Sequence, residues 1–151
     1  MGTLWWDAPT LHPTGEHGES FHGRKTLHLL WFRDLFVSLV GLDPEAASLE
    51  VKQWPINDKY FFGKLSIFAA MYGELMSGKQ TAKLLLELND HIFWEPRCQR
   101  ELLLTLRERW SDLTSKQRRA IERRIEKGPP KWEEEKISDF RRRKAVYAAE
   151  R

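Results

Sequence analysis

The chain has 151 residues, 41% of them hydrophobic, and a single cysteine, which is enough for one domain with a real core and excludes an internal disulfide framework. No run approaches the ~18 apolar residues of a membrane span, and the N-terminus lacks the basic region, apolar block and cleavage site of a secretory signal. The formal net charge is +3, but residues 1–96 carry 8 Lys/Arg against 12 Asp/Glu and residues 97–151 carry 17 against 10, so the C-terminal third is the basic end.

Pro9, Pro13, Gly15, Gly18 and Gly23 interrupt any period over residues 1–24, which are expected to form an irregular arm. Trp5, Trp6 and Phe21 give that arm more aromatic surface than an unattached tail carries, so it is expected to lie against something apolar. Residues 25–151 are expected to form one all-α domain. The first predicted helix is Lys25–Val40. Leu29, Phe32, Phe36, Leu39 and Val40 make one stripe on it, and Leu27, Leu30, Trp31 and Leu35 make a second. Two apolar faces predict a helix buried between neighbours, with Gly41 as its stop. Asp43 then caps and Pro44 takes the first helical position of a short helix running to Gln53.

Asn57 or Asp58 opens the next predicted helix, which runs to about Met76. Phe61, Leu65, Phe68, Tyr72 and Leu75 form its large face; Gly63, Ser66, Ala70, Gly73 and Ser77 form a seam of small residues where another backbone approaches. Gly78 ends it. Residues 79–89 make a helix with Leu84, Leu85 and Leu88 inward, and 90–96 are a link. Arg97–Leu113 has a clean period of Leu102, Leu103, Leu106, Trp110 and Leu113, with Trp110 as a core anchor. Thr114 or Ser115 caps Lys116–Lys127, where Ile121 and Ile125 face inward, and Gly128-Pro129-Pro130 ends it. The last helix starts between Trp132 and Ser138, with Ile137, Phe140 and Tyr147 on one side. No stretch alternates long enough for a strand. The expected fold is all-α: six to seven helices in antiparallel pairs, an irregular bundle or short HEAT-like solenoid, with an irregular N-terminal arm.

The chemistry-bearing residues assemble into little. His12, His17, His22 and His28, with Glu16 and Glu19, match no zinc spacing, so neither a metal nor a cofactor is expected. Cys98 has Arg97 and Arg100 beside it, which lower a thiol pKa, but His91 is the sole nearby base; Cys98 is expected to be a small, partly buried residue. No catalytic residue emerges. The basic helices are the one functional-looking feature: Arg118, Arg119, Arg123 and Arg124, then Arg141, Arg142, Arg143 and Lys144. Such helices bind nucleic-acid phosphates. Glu122 and Glu126 interleave at helix spacing, however, and a charged solvated face is the simpler expectation.

Residues 93–132 read Phe93-Trp94-Glu95-Pro96, Arg100-Glu101-Leu102-Leu103, Leu106, Arg109-Trp110, Leu113, Arg118, Ile121-Glu122, Arg124-Ile125, Gly128-Pro129-Pro130 and Trp132. This run resembles the helical-array regions on the C-terminal side of large bacterial proteins headed by a sirtuin-like domain. The resemblance implies a scaffold or sensing region of a bacterial antiphage effector; the catalytic domain lies outside the chain, so no catalytic residue is carried over. The functional expectation is a non-catalytic, cytoplasmic helical scaffold or interaction module, cut from a longer array. Phe140 and Tyr147, rimmed by Arg141, Arg142, Arg143 and Lys144, are its expected docking surface for the rest of the parent protein, a second copy or an acidic protein surface. Nucleic-acid or phosphate binding through Arg118, Arg119, Arg123 and Arg124 is the alternative.

Overall fold

A computed structural model describes Leu11 and residues 24–58, 61–131 and 137–149. Among these residues the chain is all-helical, with eight α-helices and no strand: α1 Arg24–Leu42, α2 Pro44–Gln53, α3 Phe62–Ala69, α4 Gly78–Glu87, α5 Asp90–Phe93, α6 Pro96–Arg109, α7 Ser115–Lys127 and α8 Ile137–Ala149. A 3₁₀ turn, Trp110–Asp112, follows α6. Apart from Leu11, the arm 1–23, with Trp5, Trp6, Phe21 and His12, His17 and His22, lies outside the described residues.

Local signals set most boundaries. The Asp43 carboxylate accepts from the Ala46 N–H at 2.9 Å and starts α2, with Pro44 at its first position. Gly41 does not stop α1. The helix runs through it to Leu42, closed by the Asp43 N–H donating to the Leu39 carbonyl at 2.8 Å. One residue thus ends one helix and caps the next. Ser77 with Gln80, and Thr114 with Gln117, build reciprocal capping boxes at the starts of α4 and α7. Gly128 ends α7 at φ 74°, a left-handed conformation that disfavours a side chain.

The largest departure from expectation is the helix predicted over 57–76, of which α3 is the middle third. Asp58 caps the turn before it, accepting from the Phe61 and Phe62 N–H groups at 2.8 and 2.9 Å. The C-terminal half is unwound, and a tertiary partner takes two of its carbonyls. Arg109 of α6 donates to the Ala70 carbonyl at 3.3 Å and the Met76 carbonyl at 2.7 Å, and its Nε reaches Asp112 at 2.7 Å. Gly78 does not break a helix but begins one. A Cβ there would stand 2.1 Å from the Asp112 carbonyl oxygen, so α4 starts hard against the 3₁₀ turn. The predicted link 90–96 holds α5, capped by Asn89.

α3 lies between two cores, which explains why Gly63–Ala69 are all buried. On one side Leu65, Phe68 and Ala69 pack with Leu29, Phe36 and Val40 of α1, Ala47 and Val51 of α2, and Trp54. On the other, Ile67 and Ala70 pack with Leu84, Leu85 and Leu88, with Phe93 and Trp94, and with Leu102 and Leu106 of α6. The small-residue seam is real at Gly63, where a Cβ would meet the Asp58 carbonyl at 2.7 Å, and at Ser66 and Ala70; Gly73 and Ser77 fall outside the helix and are exposed. α1 packs on α2, but α3 packs on α6 and α4 on α7. Pairing across three positions in the chain makes an irregular bundle rather than a stack of consecutive hairpins.

Candidate functional site

α1 carries the most exposed apolar surface among the described residues. At ~100° per residue, Leu29, Phe36 and Val40 share the face that meets the core. Trp31, Leu35 and Leu42 fall about two-fifths of a turn away, towards the opposite side of the helix, at i, i+4 and i+11, with Ser38 at i+7 completing the row. The expectation that both faces are buried fails at this row: Trp31 is 63% exposed, Leu35 70% and Leu42 86%. Each methylene so placed forgoes burial worth ~0.8 kcal/mol, so the row is a standing cost unless something covers it. At its N-terminal end the His28 ring packs edge-on against Trp31, centroids 5.8 Å apart. His28 also lines an apolar notch of about 180 Å³ between Leu29, Phe32, Phe61, Phe62 and Leu65. The row and the notch meet at His28.

The docking surface expected on α8 is less open. Phe140 is half-buried and lines a cleft of about 480 Å³ with Leu86, Trp94, Pro129 and Pro130. Arg143 sits over its ring at 5.7 Å and donates to the Pro130 carbonyl at 2.6 Å. Arg141, Arg142 and Lys144 are exposed; the side chains of Ile137 and Tyr147 lie outside what is described.

The four arginines grouped on α7 divide in two. Arg124 has a structural task. Its guanidinium donates to the carbonyls of Leu85, Leu86 and Leu88, closing the end of α4, reaches Asp90 at 2.9 Å and stacks over Phe93 at 4.0 Å. Arg118 turns to the Trp110 carbonyl at 2.9 Å and the Ser111 carbonyl at 3.2 Å, and lies over the Trp110 ring, 5.8 Å from its centroid. It does not pair with Glu122. Trp110 itself is half-buried at the edge of the core rather than at its centre, and Leu103 of the same predicted stripe is 40% exposed. Arg119 and Arg123 remain exposed.

A buried polar cluster that sequence reasoning missed joins α3, α6 and Leu11. Lys64 and Glu101 are 6% and 2% exposed, and the ammonium stands 3.7 Å from the carboxylate. The other carboxylate oxygen accepts from the Leu11 N–H at 2.8 Å, while Arg33 of α1 donates to the Leu11 carbonyl at 3.4 Å. Cys98 is buried beside this cluster. Burial pushes its thiol up to about 12, against the smaller pull of the Lys64 ammonium. The flanking arginines therefore do not activate it. The native chain is expected to resist iodoacetamide at pH 8 and to take up one equivalent once denatured; rapid alkylation of the folded chain would contradict this environment.

Among the described residues no group of three or more His, Cys, Asp or Glu side chains is placed to hold a metal ion, and no helix is long and apolar enough to cross a membrane. No family model, curated protein or solved structure matches the chain.

Proposed function

We propose that this chain is a non-catalytic helical interaction module whose docking face is the Trp31–Leu35–Leu42 row of α1, and that a second copy of the chain covers it. The carrying observation is the exposure of three large apolar side chains in register on one helix. The row is self-complementary. Two α1 helices related by a two-fold axis midway between Leu35 and Ser38 oppose Trp31 to Leu42 and Leu35 to Ser38, large against smaller at each level.

Light scattering at low and high protein concentration tests the proposal. The chain is expected to dimerise as concentration rises. Truncating a central apolar anchor typically costs ~2 kcal/mol or more, about 30-fold in dissociation constant. Leu35→Asp and Trp31→Asp should therefore leave a monomer with an unchanged helical circular-dichroism spectrum. A wild-type chain that stays monomeric at high concentration would overturn the proposal, as would a dimer indifferent to both changes.

A further inference from the structure

With Arg118 and Arg124 committed to backbone carbonyls, a different basic set emerges on α7. Lys116, Arg119, Arg123 and Lys127 are spaced by three, four and four residues, which places all four on one face. All are exposed, and among the described residues none makes an ion pair. Glu122 and Glu126 lie to one side of the row and neutralise none of it through a direct bridge. The row spans about 16 Å at ~1.5 Å per residue. It continues onto α8. A Cβ at Gly128, the residue after Lys127, would stand 3.0 Å from the Lys144 side chain, and Arg141 lies one turn earlier on the same helix.

We propose that this ridge, Lys116, Arg119, Arg123, Lys127 and Lys144, binds the phosphate backbone of nucleic acid without reading sequence. Two acidic partners fit its charge, a polynucleotide and an acidic protein surface, and the absence of apolar side chains from the ridge favours the first. Protein interfaces place an apolar or aromatic core inside a charged rim. Along α7 Ile121 and Ile125 point into the bundle and Ala120 is the apolar residue nearest the row; the cleft of Leu86, Pro129, Pro130 and Phe140 borders the ridge at its Lys127 end alone. A row of cations gains by releasing the counterions of a polyphosphate, which needs no such core.

Fluorescence anisotropy with a labelled mixed-sequence DNA duplex tests the proposal. Four to five neutralised phosphates give a steep salt dependence, so affinity is expected to fall roughly 100- to 500-fold between about 50 and about 200 mM salt. Replacing Lys116, Arg119, Arg123 and Lys127 together by Glu should abolish binding at the lower salt. Arg107→Glu, on an exposed α6 residue with an acidic neighbour, should leave affinity within about twofold. All four changes are at exposed positions, and an unaltered thermal midpoint would show that lost binding is not lost folding. Absence of binding at low salt, binding that survives the fourfold reversal, or tighter capture of polyglutamate than of the duplex would each overturn the proposal.

Discussion

Glu101→Ala is expected to lower the stability of the chain by ~3–5 kcal/mol, because it removes one partner of a buried ion pair and leaves the desolvation of the other in place. Glu101 and Lys64 are almost wholly inaccessible, on α6 and α3, and the carboxylate also holds the Leu11 N–H at 2.8 Å. The substitution therefore takes the counter-charge from a buried ammonium and the acceptor from a buried backbone donor, two penalties that the vacated space cannot repair. At ~2–4 °C per kcal/mol for a chain of this size, the thermal midpoint should fall by roughly 10 °C. Replacing both charges with apolar side chains, Lys64→Met with Glu101→Leu, should recover the part of the loss due to the unpaired ammonium, since a well-packed apolar pair is often as stable as a buried ionic one, but not the part due to the Leu11 N–H. A single change that leaves the midpoint in place would show the pair to be solvated, and a double change as damaging as the single would assign the loss to packing and the Leu11 hydrogen bond rather than to the charge pair.

That cluster marks the limit of what could be read from the chain. Helix starts were legible at Asp43 and Thr114, where a side chain caps the backbone within four residues, because the cause is local. The caps Ser77 and Asn89 were not, Ser77 falling in the small-residue seam of the preceding predicted helix and the turn after Asn89 in a predicted link. Core positions with a clean period, such as Leu84, Leu85, Leu102 and Ile121, were legible for the same reason. What failed depends on partners distant in sequence. Glu101 and Lys64 look like solvated charges until α3 meets α6. Arg118 and Arg124 look like a phosphate patch until their guanidinium groups find carbonyls of other segments. Trp31 and Leu35 look buried because apolar periodicity says that a face is sticky, not that the same chain covers it. On α7 the four arginines do not share one face. Spacing of three and four residues identifies Lys116 and Lys127 as partners of Arg119 and Arg123, a signal present in the sequence but masked by grouping the arginines as neighbours in the chain.

Arg109 is the clearest case of a distant partner overriding local preference, and Arg109→Met should show it. Residues 70–76 carry the apolar period of a continuing helix, yet α3 stops at Ala69. The Arg109 guanidinium, 4% exposed, stands where it bonds the Ala70 and Met76 carbonyls and closes the gap with Asp112. Met keeps most of the stem's packing and removes the fork. The two carbonyls then lose a charged donor, at ~1.5–3 kcal/mol for each hydrogen bond of this kind, so a total loss of about 3–6 kcal/mol is expected in urea unfolding. Arg109→Lys should rescue little, because a single ammonium on a shorter reach cannot span two carbonyls and a carboxylate at once. Asp112→Ala should cost less than about 1 kcal/mol, since that carboxylate is half-exposed and water replaces the guanidinium there. Hydrogen exchange adds a readout that simple loss of packing would not give. In Arg109→Met the amides of residues 70–77 should exchange faster relative to those of α7, which has its own caps. A uniform rise in exchange across all helices would instead make Arg109 one core residue among many, and an unchanged urea midpoint would mean that the 70–76 turn holds its shape without it.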